Sequence, residues 1–580
     1  MKNPIFRLLL TLLMVALLLS GQGAQPASAA TYTVNSLADT ISDNDLCTLR
    51  EAMHAADNNP QNNDCGLGSS ADDRISFSVT GTIALTSPLP PISSVQGRLD
   101  IDGGGNITIS GDQNNDNTPD HQMFYVNPGA YLSLASLTLT KGNGGAVGGA
   151  VTNQGILVVN QTTFSNHLST GNGGAIANLS NGEAYLYTST FSLNQANNVG
   201  GAIDNSGKML VSESRFNGNS ANTGGGAIFN EKTLFVDKSA FSSNLSNNGG
   251  AIENSNASSE LTIHRSTFVG NIALTGAGGG IFVPVGKFTL VNSTFSNNSA
   301  ATQGGGVYSA GTTIVANSTL SGNSAANGGG VFVFAGSTTL KNTLVANSTG
   351  GGDCKGTLSG TTQYNFIEDS GANACGLING ANWNIIGQDP NLGTMSGSPA
   401  YFPLLPGSPA IDAGDNTTCA DEELAENGSQ NGVTRPKDGD GDNAAICDIG
   451  AYERTLQAQS YQVNTLDDNT NNDSFCTLRE AILAANDAPA NSNCGVGGGG
   501  DDTIEFSVSG VIRIASTLPN IVSGQGKLRI DSNQSISVNG DSNSDFSGDV
   551  RVFWVDSGAH LILEELTVEY GNAKSNEEAA

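Results

Sequence analysis

Two glycines and a small residue, then Ile or Val, an Asn, an apolar alternation, a Ser-x-Phe and a further Asn recur about every 25 residues from Val151 onward. The Ile/Val landmarks are Val151, Ile176, Ile203, Ile228, Ile252, Ile281, Val307 and Val331, spaced by 25, 27, 25, 24, 29, 26 and 24 residues. Such a chain must fold as stacked turns, because no single turn can bury its own apolar face.

The turns are strands rather than helices. Leu157/Val159, Met209/Val211, Leu234/Val236, Leu261/Ile263 and Phe288/Leu290 form short alternating pairs, and a period of two puts these residues inward and their neighbours outward. One aromatic per turn follows: Phe164, Phe191, Phe216, Phe241, Phe268 and Phe295, then Leu320. These side chains are expected to stack into a narrow core. With paired strands about 4.8 Å apart, eight turns make a rod about 38 Å long.

Asn153, Asn178, Asn205, Asn230 and Asn254 share one repeat position, and Asn194, Asn219, Asn244, Asn271, Asn298 and Asn323 share another. An amide carries both donor and acceptor, so identical amides stacked at strand spacing can bond one another and the turn backbone. The alternative is a polar recognition stripe. A serine series (Ser189, Ser214, Ser239, Ser266, Ser293, Ser318) beside the Phe column reads like the amides.

Residues 1–30 read as an export signal, with Lys2 and Arg7, an apolar stretch from Leu8 to Leu19, and a small-residue cleavage site at Ala27-Ser28-Ala29. The apolar stretch is too short to span a bilayer. Export and an even cysteine count make disulfides the default, in the neighbour pairs Cys47/Cys65, Cys354/Cys375, Cys419/Cys447 and Cys476/Cys494. Each loop closure contributes about 3 kcal/mol in the chain-entropy account. A net charge of −30 opposes nucleic acid or an anionic membrane as partner, and disfavours polyanionic sugars unless Ca²⁺ bridges the two.

Residues 32–143 recur at 461–572 with a constant offset of 429: Cys47/Cys476, Arg50/Arg479, Glu51/Glu480, Phe77/Phe506, Asp112/Asp541 and Asn143/Asn572 all match. Each copy carries one short helix, beginning at Cys47-Thr48-Leu49-Arg50-Glu51-Ala52 in the first. The unit resembles the domain named after its Cys-Ser-Leu-Arg-Glu-Ala motif, found at the start of exported bacterial β-helix proteins; here the second residue is Thr. Gly201-Ala202-Ile203 and Phe216-Asn217-Gly218-Asn219 resemble the repeats of chlamydial polymorphic outer-membrane proteins. Residues 384–454 resemble a choice-of-anchor-like C-terminal region in Pro406-Gly407-Ser408-Pro409-Ala410-Ile411-Asp412-Ala413-Gly414 and in Asp448-Ile449-Gly450-Ala451-Tyr452-Glu453. These resemblances imply an exported protein, extracellular or at the cell surface, with outer-membrane association open to it.

The expected organisation is a signal peptide (1–30), a first unit with its opening strands (31–129), β-helix repeats (130–350), a disulfide-containing cap (351–454), a linker (455–460), a second unit (461–572) and a polar tail (573–580). The tail stands where the first copy would continue into a coil, which reads as a truncated second β-helix. The fold class expected is all-β, a right-handed parallel β-helix of the pectate-lyase-like kind.

Sugar lyases and hydrolases share that class, so acids must be tested one by one. Asp204 and Glu253 occupy one repeat position two turns apart, about 9.6 Å by strand spacing, near the upper limit for an inverting pair. Phe229 stands between them, and no neighbouring cation suggests a tuned acid. Arg215 and Arg265 each precede a Phe without an acid cluster, and read as solvated charge. Asp438-Gly439-Asp440-Gly441-Asp442 matches the start of a Ca²⁺ loop, but Asn443 and Ile449 stand where Gly and Glu belong, leaving structural Ca²⁺ and a plain acidic turn both open. Asp112, Asp116 and Asp120, repeated as Asp541, Asp545 and Asp549, are a weaker candidate. The expectation is a scaffold, adhesin or stalk without a catalytic site, partnered by an extracellular glycan or another surface protein. The alternative is a polysaccharide lyase or glycoside hydrolase.

Overall fold

The structure is a computed structural model that describes residues 30–57, 64–66, 72–93, 97–421, 428–440, 444–456, 458–471, 473–486, 492–494, 500–523 and 526–572. The leader and the polar tail lie outside the described residues.

Each repeat lays down four short strands. In one turn these are Ile203–Asn205, Lys208–Ser212, Arg215–Asn217 and Ser220–Ala221. Every strand pairs in parallel with its counterparts in the turns above and below: Ile203 with Ile176 and Ile228, Met209 with Ala184 and Leu234, Phe216 with Phe191 and Phe241. Three sheets result, and the fold is a right-handed parallel β-solenoid. The corner leading into the first strand needs glycine. Gly225 has a φ of +62°, and a Cβ there would lie 2.3 Å from the Ile228 carbonyl oxygen.

The core is a set of ladders along the rod. Phe164, Phe191, Phe216, Phe241, Phe268 and Phe295 stack with ring centres 4.4 to 4.8 Å apart and planes within 12°. Leu320 and Val345 continue the column. Asn153, Asn178, Asn205, Asn230 and Asn254 are buried and each donates its amide to the next at 2.7 to 2.8 Å. The second amide ladder runs from Asn194 to Asn323 at 2.8 to 2.9 Å, and each amide also takes a carbonyl of the neighbouring Phe strand. Ser189, Ser214 and Ser239 accept the backbone N–H of the turn before.

The Cys-Thr-Leu-Arg-Glu-Ala motif is structural. Thr48 and Glu51 form a capping box at the start of the helix Leu49–Ala56, and Arg50 grips Asp39 through two bonds and the carbonyls of Ser87 and Pro88. Thr477, Glu480, Arg479 and Asp468 repeat the arrangement at Leu478–Ala485, over a separate hydrophobic core. The cysteines join as neighbour pairs: Cys47 to Cys65, Cys354 to Cys375, Cys419 to Cys447 and Cys476 to Cys494. Cys65 and Cys494 are half-buried, each against the core of its own helical unit, whereas Cys375 and Cys447 are buried.

Two boundaries differ from expectation. Phe366–Ile367 still pairs in parallel with Leu344 and Val345, and Ile385–Ile386 with Phe366–Ile367, so the coil runs past residue 350. Described residues between 400 and 451 pack on the outside of the coil: Gln430 bonds Thr267 and Thr294, Thr267 bonds the Ala400 carbonyl, and Thr319 accepts from Ala451. That packing buries threonines whose counterparts in earlier turns, such as Thr190, are only half-buried.

Candidate functional site

The outward positions of the first turns form a grid. Arg98, Asp100 and Asp102 alternate along one strand; Tyr131, Ser133 and Ala135 stand beside them, then Ile156, Val158 and Asn160, then Glu183, Tyr185 and Tyr187. Because side chains in a parallel ladder sit in register, these positions converge on a groove of about 650 Å³. The Arg98 guanidinium lies 4.1 Å from the Tyr131 ring centre and donates to its hydroxyl at 2.6 Å. Arg74 holds Asp102 at 2.7 Å. Tyr185 donates to Glu183 at 3.0 Å, and Lys208 reaches the same carboxylate at 3.1 Å. Burial pushes the Tyr131 phenol up against the pull of Arg98, and burial with the Glu183 bond pushes Tyr185 up further, so both hydroxyls stay protonated. The groove combines three aromatic faces with two carboxylates and two guanidinium groups. Sequence reasoning missed it, although Tyr185-Leu186-Tyr187 is an alternation that puts both tyrosines outside.

Asp204 and Glu253 share a sheet face as their spacing implied, with Phe229 in register between them. They are only 4% and 8% exposed, because the glycine-rich loops fold over this face. Asp204 accepts from Asn172 at 3.3 Å through one oxygen, while its Oδ1 is buried with no hydrogen-bond partner. Burial, reinforced by Glu231, pushes Asp204 up to about 7; burial pushes Glu253 up to about 7 against a Ser255 hydrogen bond. Desolvation is the main cause of both shifts, with Glu231 adding to it at Asp204 and no neighbouring cation taking part.

The acidic run gathers differently from its linear spacing. Asp438 and Asp440 meet Asp412, each offering a carboxylate oxygen within 4.8 Å of the others, while Asp442 lies outside the described residues. Burial and then Asp448 push Asp412 up to about 7, and the three carboxylate oxygens lie close enough together that the group could hold a metal ion. Asp112 is a turn lock: it accepts from the backbone of Asp116 and Asn117 and from Lys141, and Asp541 repeats the backbone bonds with Asp545 and Phe546. Arg265 is not merely solvated; it makes a two-bond ion pair with Asp237 at 2.8 and 2.9 Å. Arg215 reaches Ser398 at 3.3 Å.

The Chlamydia polymorphic membrane protein repeat matches residues 213–231 and 292–310. No curated protein matches the chain. Among solved structures, the PL6 family alginate lyase AlyGC is 12% identical with a TM-score of 0.33, over 86% of this chain and 68% of that one. An arginine-to-alanine variant of the same enzyme is 13% identical with a TM-score of 0.29, over 88% and 70%. At that level the likeness is one of fold. The expectation of a scaffold without a catalytic site is withdrawn: the solved structures matched are described as lyases, and a fold shared with enzymes does not by itself settle whether this chain is one. Among the described residues, no helix is long and apolar enough to cross a membrane.

Proposed function

We propose that this chain is an exported, carbohydrate-active β-helix protein that takes an extracellular glycan along the outer face of its first turns. The groove floored by Tyr131, Tyr185 and Tyr187 carries the reading. Aromatic faces suit the flat C–H side of a pyranose, and the paired Arg and Asp groups suit its hydroxyls. Its two guanidinium groups balance its two carboxylates, which favours a neutral glycan over a polyanionic one. Hydrolysis needs two carboxyl groups. Asp102, held by Arg74, supplies one, and Asp100, two residues along the same strand face, supplies the other.

The leader at 1–30, the disulfides and the resemblance of the two capping units and of 384–454 to surface-protein modules support export and display at a cell surface. A structural Ca²⁺ at Asp412, Asp438 and Asp440 belongs to the same reading, and a melting transition that EDTA leaves unmoved would remove it.

The test is a glycan array with the mature chain, followed on any bound polysaccharide by assays for new reducing ends and for the unsaturated products of elimination. Retention should fall in the Tyr185→Ala/Tyr187→Ala variant. Reducing ends without unsaturation should appear and vanish in Asp100→Asn/Asp102→Asn while binding persists. Unsaturated products would mean a uronic-acid substrate cleaved by elimination and would overturn the neutral-glycan hydrolysis reading; no retained glycan at all would refute the proposal.

A further inference from the structure

At the far end of the coil one corner position changes character. In successive turns the residue entering the Phe strand takes a left-handed conformation: it is Gln161, Thr188, Glu213, Lys238 and Arg265 in the earlier turns and Asn292, Asn317 and Asn342 in the three that follow, with φ between 45° and 51°. Asparagine tolerates that conformation because its short polar side chain bonds locally. The next two turns put Tyr364 (φ 54°) and Trp383 (φ 60°) at this corner. The register is fixed by Thr343 donating to Asn365 and Asn365 to Asn384, which makes Asn342, Tyr364 and Trp383 equivalent.

A bulky ring in a left-handed conformation is strained, and burial would normally offset the cost. Here it does not. Trp383 is 59% exposed and Tyr364 half-buried, and the ring centres lie 5.7 Å apart at 53°. Both rings face a cavity of about 390 Å³ whose other walls are polar, among them Lys341, Gln363 and Asp415. The Asp415 carboxylate is fixed by the N–H groups of Thr417 and Thr418 and by Gln363 at 3.3 Å; desolvation first and then this carboxylate push the Tyr364 phenol up.

We propose that this corner is a binding site for a pyranose unit of a neutral glycan, with its C–H face on Trp383 and Tyr364 and its hydroxyls toward Lys341, Gln363 and Asp415. The chemistry follows from the walls: two aromatic faces, the Lys341 cation, the amides of Gln363 and Asn382 and the carboxylates of Asp415 and Asp421 in one open cavity suit a ligand that is flat and apolar on one side, hydroxylated at its edge and without negative charge. Adjacent turns are about 4.8 Å apart, close to the length of one sugar unit, so the two rings can contact neighbouring units of one chain. The site is separate from the groove of the first turns and does not rest on it.

Trp383 and Trp554 are the two tryptophans of the chain, so Trp554→Phe leaves Trp383 as the sole reporter. Titrating that full-length variant with cello-, xylo-, manno- and chitohexaose should give a saturable change in tryptophan emission with at least one sugar. The response should persist when Tyr185→Ala disables the groove. By calorimetry, Trp383→Ala should bind that sugar about tenfold more weakly or worse. Trp383→Asn, which restores the residue of the three turns before Tyr364, should lose the sugar and melt higher than the parent. Emission unmoved by all four sugars would overturn the proposal, as would Trp383→Asn binding like the parent.

Discussion

Replacing Asn244 by Ala tests whether the amide ladder holds the coil together. Its Nδ2 donates to the Phe216 carbonyl at 3.0 Å and to Asn271 at 2.9 Å; its Oδ1 accepts from the Asn219 backbone at 3.0 Å and from the Asn219 amide at 2.9 Å. Truncation spares Asn271, whose Oδ1 still accepts the backbone N–H of residue 244. It strands the Asn219 backbone N–H and one Asn219 amide hydrogen in a site with no exposure. Each orphaned buried donor costs about 1 to 3 kcal/mol, so the variant should lose about 2 to 6 kcal/mol. Asn244→Asp separates bonding from shape. A carboxylate can accept from Asn219 but cannot donate to Phe216 and Asn271, and burial there raises its pKa. A carboxyl whose folded-state pKa is raised contributes stability that is fully present below its unfolded pKa and lost as pH rises through the folded one. Asn244→Asp should therefore approach the parent near pH 4 and fall away from it toward pH 8. Urea unfolding followed by circular dichroism at both pH values measures this, through a shifted midpoint at unchanged slope. If the Ala variant unfolds with the parent, or the Asp variant shows no pH dependence beyond the parent's, the ladder is an ornament of the repeat and this account is falsified.

The aromatic column gives a second test: Phe241 has no exposure and sits 4.7 and 4.6 Å from its neighbours, so Phe241→Ala should cost about 3 to 5 kcal/mol in the same assay. Phe241→Leu should cost much less, since Leu320 continues the same column, and equal losses for the two would deny the stacking account. Asp204 and Glu253, both pushed up to about 7, contribute stability that is lost as pH rises from about 4 to 7. His167 and His264, pushed down by burial to about 3 and about 4, act in the opposite sense, losing stability as pH falls. The informative quantity is therefore the difference between the parent and Asp204→Asn/Glu253→Gln, which should shift in favour of the amide variant as pH rises. A difference that is flat across that range would mean both carboxyls are solvated.

The ladders were legible because each rests on one residue type at one position of a short period. Phe164 to Phe295 and the amides from Asn153 to Asn254 announce their own register. The described residues between 400 and 451 left no such mark. They bury Thr267, Thr294 and Thr319, which are ordinary strand residues in the repeat, and the bonds from Gln430 and Ala451 cross more than a hundred residues. The continuation of the coil through Ile385–Ile386 was hidden for a different reason: the glycine corners and the Phe fade after residue 350 while the parallel pairing goes on. The burial of Asp204 depends on loops folding over the sheet, which spacing along one strand cannot reveal.

The period also explains where chemistry can sit. Inward positions are committed to neighbours on both sides, so a change at Phe241 or Asn244 is felt by three turns at once. Outward and corner positions are bound by no such rule. The residues that form concave polar and aromatic surfaces are those where one turn departs from the others: Tyr185 and Tyr187 against Leu210 and Ser212 of the next strand, and Tyr364 and Trp383 against Asn317 and Asn342 at the same corner. A stack of near-identical turns makes such departures conspicuous, because the neighbouring rungs show what the scaffold requires at that place. Trp383 is the clearest instance: the fold would take Asn there at less strain, yet the chain puts a ring in water.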